Sequence, residues 1–271
     1  MRPTLLAATL LHLATLSGAA LADRDTLWHI IDGRCVPAAA LPASAAEMPP
    51  PCARVDRAGG WATMKDRRGV LQYLLLPTAR ISGIESPVLL DATTPNYFAQ
   101  SWRARDLLDR LRGQPLPREA VSLAVNPIRR RSQDQLHVHI SCVRPELLAR
   151  LAEVQAGISP TAWSPLPGGW LNHAWFVKRV DGDSLDGVNP IADVAANLPG
   201  AAADMGGIGV SVVAMTFQGG QPGFVLMATR WNPDDRSSGS AEHDVQDHDC
   251  AILSGSKTSK VTEAQLSGAE D

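Results

Sequence analysis

The stretch Gln135-Leu136-His137-Val138-His139-Ile140-Ser141-Cys142 decides how this chain is read. Polar and apolar residues alternate through all eight positions. A β-strand turns successive side chains to opposite faces. Gln135, His137, His139 and Ser141 therefore share one face, and Leu136, Val138, Ile140 and Cys142 share the other. Such a strand has one side in a core and two imidazoles with a hydroxyl on the other. A strand face that merely met solvent would more often carry Thr, Lys and Glu.

Working outward, Ala120–Val125 reads as a neighbouring strand, with Asn126-Pro127 and Arg129-Arg130-Arg131 in the polar, basic connection. Upstream, Trp61–Lys65 and Leu71–Leu76 read as strands joined by the turn Asp66-Arg67-Arg68-Gly69. A helix is predicted from Thr94 as cap and Pro95 as first residue to about Arg112, burying Phe98, Trp102, Leu108 and Leu111 and stopping at Gly113. Asp23–Arg34 reads as a short helix and 36–51, rich in Ala and Pro, as an irregular loop. Downstream, Pro145 opens a helix with Leu147, Leu148, Leu151 and Val154 on one face. Then come a strand at Ala174–Val180, helical turns at Ile191–Asn197, and strands at Gly209–Phe217 and Phe224–Arg230. This loosely repeats the order of residues 71–142, the pattern of a degenerate second copy. The expected fold class is α+β, with a mainly antiparallel sheet and flanking helices.

The ends differ from the middle. Arg2, the apolar run Leu5–Leu11 and the small residues Ala20 and Ala22 make 1–22 an expected export signal, or alternatively an N-terminal anchor. Residues 23–253 form the expected catalytic domain, and 254–271 a polar, low-complexity tail expected to be disordered. The chain has 25 basic and 28 acidic residues, a net charge of −3, without a basic face. Nucleic acid is therefore not an expected partner. Export places Cys35, Cys52, Cys142 and Cys250 in an oxidising space. Of three possible pairings, Cys35–Cys52 would close the Pro-rich loop and Cys142–Cys250 would pin the C-terminal part to the middle. No CxxC occurs.

Two histidines at i and i+2 suit several chemistries. A metal site needs a third ligand, from His173, His248 or Asp247, and none stands at a diagnostic spacing. A two-histidine phosphodiesterase needs His-x-Ser/Thr twice; His139-Ile140-Ser141 supplies it once, and His173, His243 and His248 do not repeat it. The third possibility is a histidine triad, with alternating histidines on one strand.

The likeness then becomes more specific. The supporting segments are Leu71–Thr78, Arg80–Pro87, Thr94-Pro95-Asn96, Ala104-Arg105-Asp106, Ala120–Asn126, His137–Pro145, Pro165–Gly169 with His173, and Gln246–Cys250. Over most of 27–253 the chain resembles the CDP-diacylglycerol pyrophosphatase family, a branch of the histidine-triad superfamily. That resemblance implies a HIT-like fold and hydrolysis of CDP-diacylglycerol to CMP and phosphatidate through a CMP–histidine intermediate. It implies a role in phospholipid metabolism, no cofactor and no metal. It also implies a location at the periplasm or the periplasmic face of the inner membrane, with the membrane surface giving access to the lipid. Asn126, eleven residues before His137, matches the superfamily's hairpin spacing. In that register His139 is the nucleophile, His137 its neighbour, and Ser141 stands for the last histidine. A register shifted by two makes His137 the nucleophile and Gln135 the first member. Asn126, Gln133, Gln135, Ser141 and His173 are the expected substrate-binding residues; Tyr97, Phe98, Trp102, Trp163 and Trp170 are either core, the commoner place for aromatic residues near helices, or the lining of a lipid groove. The competing readings are a metal-dependent phosphoesterase on the same strand, CMP transfer to another acceptor, and a non-enzymatic carrier.

Overall fold

The computed structural model describes residues 23–40 and 48–254. The expected export segment 1–22 lies outside them, as does the expected tail beyond Ser254.

Five residues, Val138–Cys142, form the histidine strand β5, and their alternation holds. Val138, Ile140 and Cys142 are buried in the largest apolar cluster, while His139 faces away from it. Around β5 the chain builds one sheet. In chain order its strands are β1 (Cys52–Asp56), β2 (Trp61–Lys65), β3 (Tyr73–Pro77), β4 (Val121–Val125), β5, β6 (Ser164–Pro165), β7 (Trp175–Asp181), β8 (Ile208–Phe217) and β9 (Gln221–Arg230). Their spatial order is β1-β2-β3-β5-β4-β8-β9-β7-β6, and every pairing is antiparallel. The α+β class and antiparallel sheet expected from the sequence are therefore present.

The order has internal symmetry. Reading outward from the central β4–β8 pair, β5 and β3 on one side answer β9 and β7 on the other. In both halves a strand and helical segment precede a two-strand hairpin. This is the arrangement a degenerate second copy would give. The copy lacks the chemistry: β9, in the place of β5, carries Phe224-Val225-Leu226-Met227-Ala228, all buried.

Helices cover both faces. On one face α3 (Tyr97–Ala104), α4 (Asp106–Arg112) and α6 (Pro190–Asn197) pack Phe98, Trp102, Leu108 and Ile191 against Leu75, Leu123, Ile140 and Phe224. On the other face there are two separate apolar patches. One joins Leu147 and Leu151 of α5 (Pro145–Val154) and Val245 of α7 (Ala241–Val245) to Ala124, Val213 and Met227. The second places Ile31 and Cys35 over Ala62, Met64, Leu74 and Leu76. These two belong to a helical segment that runs from α1 (Thr26–Ile30) through a wide turn at Ile31–Cys35 into α2 (Val36–Ala38). His139, opposite Leu74 on β3 and Ala124 on β4, lies between those patches.

The cysteines pair as Cys35–Cys52 and Cys142–Cys250. Several boundaries differ from expectation. The helix expected from Thr94 starts at Tyr97, because the Asn96 side chain accepts the Ala99 N–H and so supplies the cap. It divides into α3 and α4 at Arg105. It ends at Gly113 as expected, in the left-handed conformation (φ 78°) that glycine adopts without strain. Strand β1, which the irregular-loop reading stopped short of, begins where the disulfide anchors Cys52. Gln72 and Gln135–His137 lie just outside the regular strands in which they were expected.

Candidate active site

A cavity of about 710 Å³ opens in the gap between the two apolar patches. His137 and His139 line it, at 8% and 5% exposure. Their ring centroids are 4.9 Å apart and the planes cross at 67°. The two rings differ in their partners.

His137 Nδ1 is 2.6 Å from the backbone carbonyl oxygen of Gln135. A carbonyl only accepts, so Nδ1 carries the proton and Nε2 keeps the lone pair. Burial is the main cause that pushes this imidazole down to about 4, helped by the neighbouring His139. It is therefore neutral near pH 7.

His139 Nδ1 faces the Gln72 amide nitrogen at 3.2 Å. That amide also donates to Asp66 Oδ2 at 2.9 Å, which fixes its orientation. Nδ1 thus accepts, and the neutral ring carries its proton on Nε2. Nε2 lies 3.4 Å from Glu242 Oε2 without a hydrogen-bond partner among the described residues. The turn at Gly69 (φ 72°) keeps Gln72 in place: a Cβ there would meet Gln72 Oε1 at 2.9 Å.

Glu242 comes from α7, far along the chain, and is the centre of the polar network. Asn126, just past β4, donates to Glu242 Oε2 at 3.0 Å and accepts the Glu242 N–H at 3.1 Å. Glu242 Oε1 lies 3.3 Å from the Gln72 amide and 3.2 Å from His248 Nε2. Burial alone would raise this carboxyl. The facing imidazoles of His139 and His248 and the donors around it outweigh that and hold it far below the usual carboxylate range. His248, paired with Glu242, is raised in turn. Sequence reasoning missed Glu242, Gln72 and Asp66. In the sequence Gln72 and Asp66 read only as strand and turn residues, and nothing local to α7 marks its glutamate.

The expected site residues divide between the cavity and its supports. Asn126 and Gln133 line the cavity. The Gln133 side chain accepts from Leu27 N at 2.9 Å and donates to Asp23 O at 3.0 Å, so it holds the start of α1. Gln135 is fully buried and clamps the end of β3, donating to the carbonyls of Pro77 and Ala79. Ser141 is fully buried and donates to Leu71 O at 3.0 Å. Neither Gln135 nor Ser141 lines the cavity. His173 stands apart, 2.9 Å from Asp244 Oδ2 and 3.1 Å from Ser237 Oγ. That is a Ser–His–Asp order, but the Ser237 hydroxyl donates to Asp235 at 2.6 Å and is not held for His173.

Lys65, Arg67, Arg68 and Arg130 give the cavity a cationic side, with Arg67 and Arg68 exposed on the β2–β3 turn. Arg131, 5% exposed at its side chain, is bound to Glu85 and Asp134, and Arg129 stacks over Trp231. Of the two readings of the aromatic residues, core and lipid groove, the described residues show the core for three of the five. Tyr97, Phe98 and Trp102 are core residues, and Trp163 and Trp170 donate to Asp193 and to Asp244 O. The apolar wall is aliphatic: Leu27, Ile30, Pro50, Pro51, Met64 and Leu74.

This arrangement offers a neutral imidazole with a free lone pair, a second imidazole beside a carboxylate, and cations for anionic oxygens. It fits nucleophilic attack on a phosphoryl centre. Comparison with known proteins agrees. A family model described as CDP-diacylglycerol pyrophosphatase matches residues 22–254. A CDP-diacylglycerol pyrophosphatase of Yersinia pestis is 41% identical over 231 residues, which is 85% of this chain and 86% of that protein.

Proposed function

The chain belongs to the CDP-diacylglycerol pyrophosphatase family, and from that premise we propose that it hydrolyses CDP-diacylglycerol to CMP and phosphatidate with His137 as the nucleophile. The observation that carries this assignment is the bond from His137 Nδ1 to the Gln135 carbonyl. It favours the register with Gln135 first, His137 attacking and His139 last, over the register that makes His139 the nucleophile.

In the first step His137 Nε2 forms a bond to the CMP phosphorus. The bond from that phosphorus to the bridging oxygen breaks, and phosphatidate leaves with the electron pair. The leaving phosphate is a weak base, so it needs little acid assistance. The imidazole becomes cationic, and its Nδ1–H stays on the Gln135 carbonyl, which stabilises that charge. His139, oriented by Gln72 and facing Glu242, donates to a phosphoryl oxygen as charge develops. In the second step water attacks the same phosphorus, the P–N bond breaks, and CMP leaves. The water proton passes to a base, and the His139–Glu242 pair is the acceptor within the cavity. Lys65, Arg67, Arg68 and Arg130 meet the pyrophosphate charge.

The same reading places the mature chain outside the cytosol, at the periplasmic side of a membrane where its substrate resides. Two disulfides support that location, since such bonds persist in oxidising compartments.

The test is to quench the enzyme during turnover and locate CMP on the protein by fragmentation mass spectrometry. The adduct is expected on His137, and His137→Ala should lose turnover by about 10³-fold or more. His139→Ala should still form the adduct and release it slowly. An adduct on His139, or turnover by His137→Ala, would sink the assignment.

A further inference from the structure

One row of cross-strand partners runs from the catalytic histidines to the edge of the sheet. His139 on β5 sits opposite Leu74 on β3, Leu74 opposite Met64 on β2, and Met64 opposite Cys52 on β1. Neighbouring strands lie about 5 Å apart, so Leu74 and Met64 carry an apolar floor outward from His139 for about 10 Å. Over that floor stand Leu27 and Ile30 of α1, which are half-buried, and beside it Pro50 and Pro51. The Cys35–Cys52 disulfide fastens the helical segment that continues α1 to the far end of the row. The Gln133 side chain fastens its start.

We propose that this aliphatic wall is the binding site for the diacylglycerol end of the substrate, taking the glycerol and the first methylenes of an acyl chain. The proposal rests on the assignment of CDP-diacylglycerol as substrate. A pyrimidine would call for a stacking partner or free amide donors. Among the described residues the cavity is lined by no Phe, Tyr or Trp, and the amides of Asn126 and Gln133 are already bonded to Glu242 and to the start of α1. An aliphatic floor that begins beside His139, the neighbour of the attacking ring, suits the lipid branch of a leaving group. The nucleotide is left with the opposite side, near Asn126 and Arg130. Because α1 forms the wall, the acyl chains leave the cavity past the N-terminal helical segment, and that segment faces the lipid surface.

Two water-soluble substrates separate the possibilities: CDP-glycerol, and dihexanoyl-CDP-glycerol kept below its micelle threshold. The wild-type enzyme should show a KM at least tenfold lower for the acylated compound. In the double variant Leu27→Gln/Ile30→Gln, kcat/KM for the acylated compound should fall at least tenfold, and for CDP-glycerol by less than threefold. An equal loss on both substrates would overturn the proposal, since the wall would then serve the nucleotide or the packing of the site. So would a preference for the acyl chains that survives the double substitution. Met64→Gln gives the same comparison from the floor without touching α1. If wild type cleaves neither substrate nor CDP-diacylglycerol itself, the assignment of the reaction fails, which is a different result from a lost acyl preference.

Discussion

The Nδ1 atom of His137 sits 2.6 Å from the carbonyl oxygen of Gln135, two residues earlier in the segment that leads into β5. That carbonyl is held in place, because the Gln135 amide is bonded to the carbonyls of Pro77 and Ala79 and the next residue's N–H to Ile81 O. The tautomer is therefore fixed by the fold, and the second nitrogen is always the one presented to substrate. In the other imidazole the order is reversed, because an amide donor faces Nδ1 of His139. Two histidines one pleat apart are thus given opposite proton arrangements by a carbonyl and an amide.

The first prediction concerns pH. Burial holds His137 down to about 4, whereas a free histidine titrates near 6.5. The attacking ring stays neutral in mildly acid solution, so kcat/KM should remain level from pH 7 to about 5 and fall with an acid limb near 4. Stability behaves differently. Between 6.5 and 4 the unfolded chain takes up a proton at this position and the folded protein does not. That contribution to stability is complete above 6.5 and is lost as pH falls to about 4, by about 3 kcal/mol in all. Denaturant titration at pH 7 and pH 5 should show the loss, and His137→Asn should reduce it. A free-enzyme acid limb at 6.5 would show that the buried ring is not the nucleophile.

A second prediction isolates Glu242. Its carboxylate touches Asn126, Gln72, His139 and His248 at once. Glu242→Gln keeps the shape and removes the charge that faces both imidazoles. We expect kcat to fall by about 10²-fold, at the lower end of what an acid–base group contributes, with KM changed much less. The CMP–His137 adduct should accumulate, because the water step uses the His139–Glu242 pair as base. Unchanged kcat with a raised KM would show instead that Glu242 serves only to bind.

Glu242 also marks where the sequence stopped being informative. The histidine strand, both central hairpins and the disulfide pairing were legible because alternation, turn residues and cysteine count are local or few-valued signals. The roles of Gln135 and Ser141 were not. Both share the histidines' face by alternation, yet the end of β3 and the carbonyl of Leu71 absorb their side chains. Period-two reasoning assigns a face, and only the neighbouring strand decides whether that face is open. Glu242 bonds Asn126 across 116 residues, a pairing that no spacing rule reaches. Helical spacing also buried Phe98 and Trp102, and they fill the opposite side of the sheet.

A third prediction concerns His173. It binds buried Asp244, on the same short helix as Glu242, and through Ser237 and Asp235 it holds the loop that precedes that helix. His173→Ala leaves a buried carboxylate short of its partner, a change that typically costs about 1–3 kcal/mol. The expected outcome is a lower unfolding midpoint with kcat reduced by less than about tenfold, the effect of a loosened support rather than of a lost catalytic group. A drop in kcat as large as that of Glu242→Gln, with stability intact, would place His173 in contact with substrate.

The last prediction uses the two disulfides, which brace different parts of one site. Cys142 ends the histidine strand, and Cys250 lies two residues beyond His248. Between them, Gln246 donates to the carbonyls of Ser122 and His139. Cys35–Cys52 instead fastens the helical segment that continues from the wall of the cavity. In the chain-entropy account, a loop of about 100 residues stabilises by about 4.7 kcal/mol and one of about 15 by about 3 kcal/mol. The respective separations here are 108 and 17. Cys142→Ser/Cys250→Ser should therefore be the less stable variant, and its defect should be in kcat, because His248 and Glu242 lose their anchor. Cys35→Ser/Cys52→Ser should keep kcat near wild type and raise KM for CDP-diacylglycerol, because the wall loosens while the histidines do not. Thermal unfolding with and without reductant, paired with steady-state kinetics, checks both. If each double variant lost kcat and KM in the same proportion, the cavity would have to be a single cooperative unit, and the division between a catalytic side and a lipid side would not hold.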